Sequence, residues 1–200
     1  MSGNELWFGT PIYSNFSNLD NQNSIQKEIQ IAYDDLLKNN KLQNNPEWNS
    51  HLISDLNFKD NIIEKYNMTV LSKCIKDHVL SYLQESQSPV AKAELNYKIT
   101  ASWITVTKKN MYARSHTHGD ADISGCYYFK TNTQDGSIFF NNPNQLIMNS
   151  MCFGHMDQTI YFKPSLGRFL LFPGWLQHGV QTNTTDDDRI SLSFNIQFRR

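Results

Sequence analysis

The spacing of apolar residues changes character near residue 90. Within 24–38, SIQKEIQIAYDDLLK, residues Ile25, Ile29, Ala32 and Leu36 recur at steps of three and four, the spacing of one helix face. The stretch NNKLQNNPEWNSHLISDLN breaks that pattern with Asn and Pro and reads as a loop. Over 60–85 a longer stripe of Ile63, Tyr66, Val70, Cys74, His78 (or Val79) and Tyr82 predicts a second helix, ended by Ser86 to Pro89.

Beyond residue 90 the period falls to two. Strands are expected at 94–107, 111–116, 124–131, 136–140, 158–163, 167–172, 178–182 and 189–198, most of them punctuated by Gly, Pro, Asn or Asp. The last is the cleanest. Ile190, Leu192, Phe194, Ile196 and Phe198 share one parity; Arg189, Ser191, Ser193, Asn195, Gln197 and Arg199 share the other. One face must meet core and the other water or a polar cavity. Many short strands with polar turns predict an antiparallel sandwich or barrel, with the two helices as a cover. A single domain over 1–200 is expected, 1–90 mostly helical cover and 91–200 the β core; 200 residues suit one domain with its own core.

Composition narrows the function classes. The net charge is −1 and the sequence pI about 6.6, so no electrostatic footprint points to nucleic acid or an anionic membrane. Charged residues make up only 18%, and asparagine alone is about a tenth of the chain, a bias that reads as codon composition before function. Cys74, Cys126 and Cys152 are an odd set without CxxC spacing, which argues for a reducing compartment and against a disulfide or thiolate-zinc scaffold. No signal peptide or membrane-length apolar run is visible, so a cytoplasmic location is expected.

Candidate chemistry starts with histidine. His116 and His118 lie in RSHTHGDAD at the end of a strand-like run, and a spacing of two projects both imidazoles from one face of an extended chain. That arrangement lets one strand give two ligands to one metal. Asp120 shares their parity and makes a second pair with His118. A third ligand must come from elsewhere, and His178 follows the strand and turn GRFLLFPGWLQ. The plain alternative is two exposed turn histidines and an unrelated third. His155–Met156–Asp157 is another literal His-x-Asp, but no strong strand precedes it and a loop or edge histidine is the better reading. Arg189 and Ser191 share the polar parity of the last strand. A guanidinium matches a carboxylate bidentately, and a hydroxyl beside it adds a donor, which would suit a small dicarboxylate chelating a metal at its other end. Alone, Arg189 reads equally as a solvated charge after Asp186–Asp187–Asp188.

Taken together, HTH at 116–118, SGCYYF at 124–129, FPGWLQH at 172–178 and RISLSFN at 189–195 resemble the iron(II)- and 2-oxoglutarate-dependent oxygenases. More narrowly they are similar to the small 2OG-Fe(II) oxygenases of marine bacteria and phages, and the opening WFGTPIY also resembles the start of that subgroup. The resemblance implies a mainly β fold, a double-stranded β-helix (jelly-roll, cupin-like), with N-terminal helices on the outside of the major sheet. It implies Fe(II), 2-oxoglutarate as cosubstrate and dioxygen, and hydroxylation of an unidentified small-molecule or peptide substrate with release of succinate and CO2. His116 and His178 would hold the metal, Arg189 the far carboxylate of 2-oxoglutarate, and Ser191 would assist it. Tyr127 and Tyr128 point to opposite faces, and the resemblance favours Tyr128 at the cosubstrate.

One departure matters. Most of the superfamily reads His-x-Asp/Glu, a two-histidine, one-carboxylate triad. Here the second position is His118, expected to be the third metal ligand, with Asp120 in reserve. Three histidines also suit zinc. Two rival readings follow: a cupin-like three-histidine metalloenzyme (zinc or iron) without 2-oxoglutarate, and a non-catalytic jelly-roll module.

Overall fold

The computed structural model describes residues 9–44, 51–55, 59–92, 95–144, 146, 151 and 157–199. Among these residues, eleven strands in two antiparallel sheets carry the fold. The first sheet has the order β1 (Tyr13–Phe16), β9 (Arg168–Pro173), β6 (Ile123–Lys130), β11 (Arg189–Phe198), β4 (Tyr97–Thr107), β3 (Leu52–Ile53) and β2 (Gln43–Asn44). The second has β5 (Ala113–His116), β10 (His178–Val180), β7 (Ile138–Asn141) and β8 (Thr159–Phe162). This is the double-stranded β-helix of the sequence reading, with helices α1 (Leu19–Lys38), α2 (Ile62–Lys65) and α3 (Thr69–Glu85) beside the larger sheet.

The periodicities place the layers. Ile25, Ile29, Ala32 and Leu36 of α1 are all buried, as their spacing predicts. They join Leu71, Ile75 and Val79 of α3 and the even face of β11 (Ile190, Leu192, Phe194, Ile196) in one core between helices and sheet. Gly125 on the neighbouring β6 is needed there, because a Cβ would come within 2.5 Å of the Phe194 ring.

Two details depart from the sequence reading. The helix expected over 60–85 is two, broken where Asn67 takes φ +49°. The break lets the Glu28 carboxylate of α1 accept the Val70 and Leu71 backbone N–H groups, capping the start of α3 from its neighbour. The segment before residue 90 also gives strands to both edges of the larger sheet: β1 pairs with β9, and β3 pairs with β4. None of β1, β2 and β3 shows an alternating pattern long enough to be read from sequence.

Candidate functional site

Three elements bring the histidines together. β5 ends on His116, the following turn carries His118, and β10 opens on His178, which pairs directly with His116 across the smaller sheet. The ring centroids lie 4.4 Å (His116–His178), 5.0 Å (His116–His118) and 5.1 Å (His118–His178) apart. One nitrogen from each lies within 4.8 Å of the others, close enough to share one ion. Asp120 is exposed and lies outside this group. His155 lies outside the described residues, and Asp157 is exposed.

The rings are oriented by partners behind them. His116 Nδ1–H donates to the Arg114 carbonyl at 2.7 Å, and His178 Nδ1–H to the Leu176 carbonyl at 2.9 Å. Each bond uses a carbonyl two residues earlier and puts the ring proton on Nδ1, so that Nε2 is the nitrogen that carries the lone pair. Burial lowers the pKa of all three: His118 to about 4, with His116 adding to the effect, His116 downward, and His178 well below its ordinary value. All three are therefore neutral at pH 7, the form that ligates a metal. The donor set fits a divalent ion such as iron(II) or zinc.

The histidines stand at one end of a cavity enclosed between the sheets. Its walls include Tyr128, Ile138 and Phe172, and the odd face of β11 (Arg189, Ser191, Ser193, Asn195) lines it. Arg189 is 3% exposed. Its Nη1 donates to the Gly136 carbonyl and its Nη2 to Thr107 Oγ1, both at 2.8 Å. Gly136 can offer that carbonyl because it turns the chain at φ +96°, where a Cβ would also strike the Gln181 carbonyl. On the other side, the buried Asn183 amide bonds the Thr107 and Asp187 carbonyls and closes the turn that leads into Arg189. Among the described residues no carboxylate lies within 4 Å of the guanidinium; the ion pair formed there is Lys109–Asp186, on the surface. Burial lowers the Arg189 pKa, but a guanidinium keeps its charge at any ordinary pH.

The two tyrosines of β6 divide as their parity requires. Tyr128 is buried in the cavity wall, and burial pushes its pKa up. Tyr127 faces the helices, where Gln26 Nε2 donates to its hydroxyl at 3.2 Å. His51, which the sequence reading missed, also lines the cavity. It is 4% exposed, pairs through Nδ1 with the Tyr112 carbonyl at 3.3 Å, and has its pKa lowered to about 4 by burial. Its signal in the sequence was weak: His51 and Ile53 are buried and Leu52 and Ser54 less so, a period of two lasting only a few residues inside an Asn- and Pro-rich stretch. On the far side of His116 and His118 a second, open groove is lined by Lys59, Thr100, Thr117, Asp120 and Gln197. The two histidines thus form a wall common to both spaces.

Among the described residues no helix is long and apolar enough to cross a membrane. No curated protein matches the chain in sequence. Residues 101–195 match the family model described as "Putative 2OG-Fe(II) oxygenase". Solved structures share the fold at low identity. A Pseudomonas putida prolyl-4-hydroxylase is 12% identical over 96% of this chain and 93% of its own, with a TM-score of 0.64. The alpha-ketoglutarate-dependent epimerase SnoN from nogalamycin biosynthesis is 11% identical over 94% and 78%, with a TM-score of 0.64. A prolyl hydroxylase from Trichoplax adhaerens is 15% identical over 94% and 83%, with a TM-score of 0.58. The family match lies within the β core, and the solved structures share its double-stranded β-helix fold.

Proposed function

We propose that the chain is an iron(II)- and 2-oxoglutarate-dependent dioxygenase that hydroxylates a small-molecule or peptide substrate. The observation that carries this reading is Arg189: a buried guanidinium with no carboxylate within 4 Å among the described residues, the buried Asp135 acting on it only from farther off, in a cavity that three neutral imidazoles also line. A buried charge without a direct ion pair is costly, and a dicarboxylate entering that cavity would supply one. His116, His118 and His178 would hold the iron. When bound, the iron and its cosubstrate supply dioxygen activation, with 2-oxoglutarate converted to succinate and CO2 as a substrate C–H bond is oxidised.

The protein's share is positioning. Arg189 receives the distal carboxylate in its planar fork, held in place by Thr107 and the Gly136 carbonyl. The Ser191 and Tyr128 hydroxyls stand on neighbouring positions, Ser191 pairing with Tyr128 across β11 and β6, and add neutral donors to the same carboxylate. Phe172, Ile138 and Val180 exclude water from the space between. The substrate reaches the histidines from the open groove of Lys59, Thr117 and Asp120, opposite the cosubstrate cavity. Titrating 2-oxoglutarate into anaerobic Fe(II)-loaded protein tests the reading. A visible metal-to-ligand charge-transfer band is expected, lost in His178→Ala; its absence in the wild type would refute the assignment.

The all-imidazole donor set favours one rival, a three-histidine zinc or iron enzyme that uses no 2-oxoglutarate. That rival predicts metal uptake with no change on adding 2-oxoglutarate.

A further inference from the structure

His118 is oriented differently from the other two imidazoles. His116 and His178 each give Nδ1–H to a backbone carbonyl, which fixes the tautomer with the lone pair on Nε2. Behind His118 stands a side chain instead. Asn195 Nδ2 lies 3.4 Å from His118 Nδ1, and Asn195 Oδ1 accepts from Ser124 Oγ at 2.9 Å. In that arrangement Nδ1 is the acceptor, so the ring proton sits on Nε2, the nitrogen a shared ion would need.

The surroundings are built to hold this amide while letting it turn. Asn195 and Ser124 are a directly opposed cross-strand pair of β11 and β6. On its other side the register against β4 shifts between Asn195 and Ile196, which face Ala101 and Ile99; the extra residue, Thr100 of β4, donates its hydroxyl to the Asn195 carbonyl at 3.4 Å. The bulge thus lies on β4, and the Asn195 backbone is held from both neighbouring strands. The Ser124 hydroxyl both donates and accepts, so it satisfies the amide in either orientation.

We propose that Asn195 is the positioning residue that sets the tautomer of His118 and so couples an amide turn to metal loading. This rests on the three-histidine metal reading above. On loading, the Nε2 proton leaves to solvent and Nδ1 takes one up, with no net change. The Asn195 amide turns over, so that Oδ1 accepts from the new Nδ1–H and Nδ2 donates to Ser124 Oγ. His116 and His178 already give Nδ1–H to backbone carbonyls and need no such step.

Long-range 1H–15N NMR of the histidine rings tests this without any turnover. In metal-free wild type, His118 is expected as the Nε2–H tautomer while His116 and His178 are Nδ1–H; with Zn(II), His118 becomes Nδ1–H. Asn195→Asp, whose carboxylate only accepts, is expected to show Nδ1–H at His118 already without metal and to bind Zn(II) at least as tightly as wild type. Asn195→Leu is expected to keep its Tm but bind Zn(II) ~10–100-fold more weakly, the usual cost of losing a partner behind a ligand. Nδ1–H at His118 in metal-free wild type would overturn the proposal, and so would wild-type zinc affinity in a folded Asn195→Leu. A wild-type chain that takes up no zinc fails the metal reading and this one together, whereas normal uptake without the tautomer change fails this one alone.

Discussion

The two faces of β11 obey opposite rules. Its even residues, Ile190, Leu192, Phe194 and Ile196, are almost wholly buried against α1, α3 and the neighbouring strands, and each is satisfied by contact alone. Its odd residues put a guanidinium, two hydroxyls and an amide into a cavity, where packing does not satisfy them. Burial of apolar area stabilises the first face, at roughly 25 cal/mol per Å2 removed from water. The second costs stability, because a charge and several dipoles leave water without full replacement. One strand therefore anchors the fold with one face and holds the site with the other. Substitutions on the two faces should separate stability from binding.

The largest effect is expected on the core face. Phe194→Ala removes a ring that is 0% exposed and should cost about 3–5 kcal/mol, read as a lowered denaturation midpoint. Arg189→Met sharpens the contrast: it should leave the midpoint unchanged or raise it, since an unpaired buried charge is removed, while weakening 2-oxoglutarate binding by a factor on the order of 100. A large loss of stability in Arg189→Met, with binding retained, would break the distinction between the faces.

The tyrosines of β6 repeat the comparison at smaller scale. Tyr127→Phe loses the bond from Gln26 and should cost about 0.5–1.5 kcal/mol of stability, with cosubstrate affinity unchanged. Tyr128→Phe should do the reverse: little change in stability, and 2-oxoglutarate bound a few-fold more weakly. Titration calorimetry and thermal melts on the same two proteins read both outcomes.

The last comparison is pH dependence without metal. His51 and His118 titrate near 4 in the folded protein, and His116 and His178 are also lowered, whereas the unfolded chain takes up these protons near ~6.5. Between about 6.5 and about 4 the unfolded state binds more protons. Stability is then full above that window and falls as the pH drops through it. Melts from pH 7.5 to 5 should show Tm decreasing, and His51→Gln should flatten the slope. A Tm that rises over this range would contradict the burial assigned to these rings.

Legibility in the sequence followed the same division. Elements whose residues face one broad apolar surface announced themselves: α1 by its steps of three and four, β11 by strict alternation. The strands β1, β2 and β3 did not, because each is four residues or fewer and its place is set by a partner distant in sequence. The helix break at Asn67 was hidden because the apolar stripe continues across it, while the backbone turns on a single positive φ and a cap borrowed from Glu28. His116 and His118 were visible by their spacing, and Arg189 and Asn195 by parity. His51 was not, since it enters the cavity from a stretch whose alternation lasts only a few residues. That no described carboxylate comes within 4 Å of the Arg189 guanidinium is a three-dimensional fact that no local pattern encodes.

The most direct measurement is a crystal structure of the protein with Fe(II) and 2-oxoglutarate, prepared without oxygen. The account predicts one ion on the imidazoles of His116, His118 and His178, and one end of the diacid in the fork of Arg189 beside Ser191 and Tyr128. An ion held elsewhere, or a diacid that leaves Arg189 without a carboxylate, would contradict it.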